Sequence, residues 1–139
     1  MRKMLLGFGF SLCLLPFAVE AQKLVDYPEW QYANVLYEGV FTCKLKSDNS
    51  RAATNLGSAH QDRARSEYMQ CHKEFSEKAQ EGLPKAVKAA RTESVKTAIK
   101  DLYTAWGVYF DNLSGPGSAV AKNSYETARN RLKTELIAQ

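Results

Sequence analysis

The chain has 139 residues, and 19 Lys and Arg side chains against 15 Asp and Glu give it a formal net charge of +4. Apolar residues make up 45% of the sequence and charges of both signs are mixed, which excludes intrinsic disorder and allows one globular domain but not two. This balance is much less basic than that of nucleic-acid-binding domains, so we expect no nucleic-acid partner.

Residues 1-21 have the features of a cleaved secretory signal peptide. Arg2-Lys3 forms a basic start, an apolar run from Met4 to Phe17 follows, and small residues at 19 and 21 suit the cleavage positions. The run is shorter than the roughly 20 residues of a membrane-spanning helix, so we expect no integral membrane segment after cleavage. The mature chain, 22-139, is predicted to be a single helical domain in the periplasm, with secretion as the alternative.

The first helix is predicted to begin at Pro28, with Asp26 as its cap, and to end near Lys46. Its apolar residues recur at intervals of three and four and form one core stripe: Trp30, Ala33, Leu36, Tyr37, Val40 and Phe41. The polar run 47-50 favours turns over helix, so residues 47-57 are predicted to form a long connection.

The second helix is predicted to begin at Ser58 and to end at Gly82, because Pro84 interrupts helical hydrogen bonding. Its core face is expected to comprise Ala64, Tyr68, Cys71, Phe75 and Ala79.

A strongly amphipathic third helix follows and ends near Leu113. The apolar residues before and after 91-94 do not share one face, so the chain either kinks or restarts there. The loop 114-118 precedes a last helix, whose stripe is Ala121, Tyr125, Ala128, Leu132 and Leu136. With no convincing strand, the sequence predicts an all-α fold: an antiparallel bundle of about four main helices stapled by one disulfide.

That disulfide joins Cys43 and Cys71, the two cysteines that remain once the leader is removed, because an exported protein meets no strong reducing pool. Two free buried thiols are the alternative. Cys43 would lie near the end of the first helix and Cys71 about 20 Å into the second, so the bridge requires residues 47-57 to run back along the second helix.

No residue set in the sequence suits catalysis, a metal or a cofactor. His60 and His72 lack His, Cys or acidic partners three or four residues away, where metal ligands would share a helix face. A c-type haem site would need a second cysteine where Tyr68 stands. We therefore expect no enzyme activity, metal or cofactor; an enzyme that uses one of the histidines remains the least favoured hypothesis.

Surplus aromatic residues instead suggest a protein partner, and the local excess of basic residues would attract an acidic one. The candidate contact residues are Tyr27, Trp30, Tyr32, Tyr103, Lys44, Lys46, Arg51, Arg63 and Arg65. The expected function is that of a small exported protein that binds another protein, as an inhibitor, a toxin-neutralising immunity protein or an accessory factor. The alternative is a helical-bundle carrier of a small molecule or cofactor.

Overall fold

The computed structural model describes residues 24-139, which form four helices joined by short connections. The helices are α1 (Pro28–Ala52), α2 (Ser58–Ala89), α3 (Glu93–Asp111) and α4 (Ser118–Ile137), and a 3-10 turn spans Ala53–Asn55. No strand occurs in these residues, so the predicted all-α bundle of about four helices is confirmed. The predicted leader lies outside the described residues.

The first helix is longer than the sequence suggested. It continues to Ala52, where the prediction ended it near Lys46. The side chain of Ser47 is buried and its hydroxyl lies 2.8 Å from that of Ser114, so it no longer competes for the backbone of its own helix. The predicted long connection over 47-57 is therefore wrong, and α1 and α2 form a hairpin with a short turn.

The second helix runs through Pro84 and ends at Ala89, not at Gly82. Buried Ala79 and Ala86 flank the proline on the core side, and this packing offsets the backbone hydrogen bond that proline cannot make. The chain then breaks at Ala90, whose backbone is extended, and α3 restarts. Thr92 caps α3 by accepting a hydrogen bond from the amide of Val95 at 3.3 Å.

The start of α1 also differs from the prediction. Tyr27 occupies the position before the helix and no side chain caps the free amides, so the expected cap by Asp26 is absent. Pro28 does lie in the first turn, where its missing amide hydrogen carries no penalty.

A disulfide joins Cys43 and Cys71, with a Cα–Cα distance of 5.7 Å, and it ties the middle of α1 to the middle of α2. Both cysteines are buried, at 0% and 4% exposure. The helices approach closely beside them, because a Cβ atom on Gly39 would lie 2.8 Å from Cδ1 of Phe75. The predicted staple is confirmed, although the extended α1 brings the cysteines together without a returning connection.

The core lies where α3 packs against the other helices. Trp106 of α3 donates a hydrogen bond from its indole nitrogen to the carbonyl of Leu36 at 2.9 Å, and its ring stacks on Phe110 at 4.4 Å. The predicted stripe of α4 is buried at Ala121, Tyr125, Leu132 and Leu136, with Ala128 partly buried. α1 packs chiefly on α2, and α4 packs chiefly on α3.

The connection between α3 and α4 is tied to the C-terminal part of α1. The Ser114 hydroxyl bonds to Ser47 and donates to Oδ1 of Asp48 at 3.1 Å, and Arg51 donates to the Ser114 carbonyl. Further along the bundle α1 and α4 make little contact, which leaves a groove between them.

Candidate functional site

The space between α1 and α4 has a volume of about 590 Å³, and we call it the α1–α4 groove. Its α1 wall is formed by Tyr37, Val40, Phe41, Lys44, Leu45 and Asp48, its α4 wall by Lys122, Tyr125, Glu126, Arg129 and Asn130, and Tyr109 of α3 also lines it.

The α1 wall carries an exposed row of large apolar side chains, which we call the outer stripe. It consists of Tyr37, Phe41 and Leu45, which are 51%, 68% and 60% exposed. Successive helical residues are rotated by about 100°, so this row lies roughly 100° to 180° around α1 from the buried side chain of Leu36. Contiguous apolar surface of this kind marks interaction sites more often than isolated exposed residues do.

The α4 wall contains a buried hydroxyl without a hydrogen-bond partner. Tyr125 is 2% exposed, and its hydroxyl has no partner among residues 24-139. Burial raises the pKa of this hydroxyl, and the nearby Arg129 opposes the shift in part. By contrast, buried Tyr32 donates its hydroxyl to the carbonyl of Ala79 at 2.9 Å. Since buried polar groups are normally satisfied, the Tyr125 hydroxyl is an unused hydrogen-bond donor in the wall of the groove.

Arg129 closes one end of the groove. Its guanidinium lies 4.5 Å from the ring of Trp30 and 4.9 Å from that of Tyr37, and it donates to Oδ1 of Asn34 at 3.0 Å. Its Nε is buried and has no acceptor among the described residues. No carboxylate in that part of the chain forms an ion pair with it.

The other two cations of the groove are paired. Lys44 lies 2.9 Å from Asp48, and Lys122 lies 3.5 Å from Glu126. The hydrogen bond from Lys44 lowers the pKa of the Asp48 carboxyl. The lining thus has three cations and two carboxylates, and Arg129 is the cation left without a counter-charge.

The structure separates the aromatic residues that the sequence singled out. Trp30 is half-buried and contacts the groove through Arg129. Tyr32 is only 5% exposed, so almost none of its side chain can contact a partner. Its prediction as a contact residue is therefore wrong. Tyr27 and Tyr103 are half-buried and do not line the groove; Tyr103 stacks on the indole of α3.

The predicted basic residues have different partners in the structure. Lys44 lines the groove, whereas Arg51 is held by the α3–α4 connection and Arg63 pairs with Glu67 at 3.1 Å on its own helix. The two remaining cations, at 46 and 65, do not line the groove.

Sequence reasoning assigned Tyr37 and Phe41 to the core, which is wrong, and it left out Leu45 and Arg129. One signal was present: apolar residues of α1 cover more than half of the helix circumference, which is wider than a single core face of about 100°. The prediction of a single core stripe on α1 treats all of these apolar residues as buried, so it misses the exposed apolar face of this helix.

Within residues 24-139 no three His, Cys, Asp or Glu side chains are placed to hold a metal ion, and no helix there is long and apolar enough to span a membrane. His60 is exposed, and His72 lies 3.1 Å from Asp111 and stacks on Phe110 at 4.5 Å.

Comparison of the chain with protein-family models, with curated proteins and with solved structures found no match.

Proposed function

We propose that this protein is a small, exported, non-enzymatic protein that binds another protein through the α1–α4 groove, as an inhibitor, a toxin-neutralising immunity protein or an accessory factor. The observation that carries the proposal is the outer stripe, Tyr37, Phe41 and Leu45, exposed beside the unsatisfied hydroxyl of Tyr125. Aromatic side chains and arginine are enriched at the centre of protein interfaces.

The outer stripe can supply part of the free energy of association. Full burial of one large apolar side chain is worth about 1.5 to 3 kcal/mol, and the three residues are each between 51% and 68% exposed. Covering them therefore contributes on the order of 3 to 5 kcal/mol, before the entropy lost on association is subtracted. A stable complex then needs further contacts, which the charged rim of the groove can supply.

The disulfide is consistent with a protein outside the cytoplasm, and we propose the periplasm as its location.

A small-molecule carrier is the second candidate, because the groove volume of about 590 Å³ lies within the usual range of ligand pockets. Such pockets enclose most of the ligand, however, and here Phe41 and Leu45 project towards solvent with more than half of their surface exposed. A protein partner that covers these side chains from outside fits this shape better.

Site-specific photo-crosslinking tests the proposal. A photoreactive amino acid at position 41 should crosslink to one defined protein in the exporting host, while the same amino acid at Val120 should not. Val120 is a matched control, since it is 72% exposed and lies outside the groove. Equal crosslinking at both positions, or none at 41, would refute binding through the groove.

Native mass spectrometry of the purified protein tests the alternative that the protein carries a small molecule. A small bound species that is lost in Phe41→Asp would favour a carrier over a partner-binding protein.

A further inference from the structure

We infer that the part of the partner that enters the α1–α4 groove is an amphipathic helix with an acidic side chain that reaches Arg129 and Tyr125. This inference rests on the proposed function and specifies its partner.

The backbone chemistry of the walls favours a helix. Both walls are α-helices, whose amide and carbonyl groups are already paired within the helix, and no strand edge occurs anywhere in residues 24-139. An extended peptide laid against these walls would leave its own backbone groups unpaired beside apolar side chains. A helix satisfies its backbone internally and needs only an apolar face.

The spacing of the outer stripe also suits a helix. Tyr37, Phe41 and Leu45 lie four residues apart, so they form a ridge with side chains about 6 Å apart along α1. Ridges of this kind interdigitate with a partner helix that has apolar side chains at positions i, i+4 and i+7. Two helical walls with a gap between them can thus accept a third helix.

The unpaired donors favour a carboxylate. The Tyr125 hydroxyl and the Arg129 Nε are both buried without an acceptor, and the guanidinium has no carboxylate partner in the described part of the chain. A carboxylate offers acceptors to both groups and neutralises the cation. Tyr37, which is half-exposed and lies over the guanidinium, is the covering side chain that must move to admit it.

The test is a phage-display selection. A library of 18-residue helical peptides is selected for binding to the protein purified from an exporting host. Enriched peptides should carry apolar residues at i, i+4 and i+7 with Asp or Glu on the flank. Their affinity should fall about tenfold to a hundredfold in Arg129→Gln, which removes a charge-assisted hydrogen bond. A larger loss is expected in Phe41→Asp, which places a charge in the apolar ridge.

Matched controls exist on α4. Arg131→Gln removes a cation that pairs with Asp101 at 2.7 Å, and Val120→Asp adds a charge to an exposed apolar site outside the groove. Both should leave peptide affinity within about twofold, and circular dichroism should show that all four variants are folded.

The outcomes distinguish the two proposals. The inference of an acidic helix is wrong if peptide affinity falls in Phe41→Asp but not in Arg129→Gln, or if the enriched peptides are extended or basic. The groove would still be a binding site in either case. If no enriched peptide is sensitive to Phe41→Asp, both this inference and the proposed function are overturned.

Discussion

Two buried tyrosines should respond with opposite signs when their hydroxyl groups are removed. Tyr125→Phe deletes a hydroxyl that is buried without a partner, whereas Tyr32→Phe deletes one that donates to Ala79 at 2.9 Å. Both substitutions keep the ring, so packing changes little. The pair therefore isolates the effect of hydrogen bonding on the free energy of unfolding.

The magnitudes follow from the cost of an unsatisfied polar group. Tyr125→Phe removes the unsatisfied hydroxyl and should raise the free energy of unfolding by about 1 kcal/mol, since the desolvation penalty of such a group is roughly 1 to 3 kcal/mol. Loss of the Tyr32 hydrogen bond should lower it by about 1 to 2 kcal/mol. For a domain of this size a change of 1 kcal/mol moves Tm by roughly 4 °C.

Urea unfolding at pH 7, followed by circular dichroism on the oxidised protein, measures both changes. The midpoints should move in opposite directions while the m-value stays constant, because neither substitution changes the surface exposed on unfolding. If Tyr125→Phe lowers stability as much as Tyr32→Phe, the hydroxyl of Tyr125 is satisfied in solution and is no free donor in the groove.

Three further predictions concern stability. Replacing Cys43 and Cys71 by Ala, or reducing them, should lower the free energy of unfolding by about 3.6 kcal/mol in urea titrations, as expected for opening a loop of 28 residues; a loss below 1 kcal/mol in both experiments would contradict this. Burial raises the pKa of the Tyr125 hydroxyl above 10.0, so this tyrosine ionises in the unfolded chain at a lower pH than in the folded one. Below pH 10 the shift adds no pH dependence, and above pH 10 the free energy of unfolding falls as the pH rises. Unfolding measured between pH 9 and 11 should show a shallower decline in Tyr125→Phe, by up to about 1.4 kcal/mol per pH unit, and identical slopes would contradict the shift. Gly39→Ala should cost about 1 to 3 kcal/mol because its Cβ meets a packed ring, whereas Gly107→Ala, with nothing within 4 Å of its Cβ, should gain about 0.5 to 1 kcal/mol in helix propensity; thermal melts compare the two, and equal effects would argue against the close approach.

Periodicity was sufficient to predict the helices and most of the core. The stripe of α4 at Ala121, Tyr125, Leu132 and Leu136 is buried as predicted, because a helix with one apolar face has one way to bury it. The helix ends were less predictable. α1 continues past Lys46 because Ser47 finds its partner 67 residues away, and no local pattern reports such a contact.

The groove was hidden from the sequence for a related reason. Tyr37 and Phe41 follow the same three-and-four spacing as core residues, and only the position of α4 relative to α1 leaves them exposed. That the Tyr125 hydroxyl lacks an acceptor is likewise a property of the assembled bundle. Residue types and spacings predict which side chains share a helix face, but not which faces remain uncovered.

The position of the disulfide makes the two sides of the groove mechanically unequal. Cys43 lies between Phe41 and Leu45 in sequence but points to the other side of α1, so the crosslink ties that helix to α2 at the level of the outer stripe. α4 carries no disulfide and is held to α1 at both ends of the groove, through Ser114 in the connection before it and through Arg129, which donates to Asn34 at 3.0 Å. We therefore expect a partner that displaces Arg129 from this contact to widen the groove by moving α4, so that partners of different thickness meet one crosslinked surface and one that adjusts.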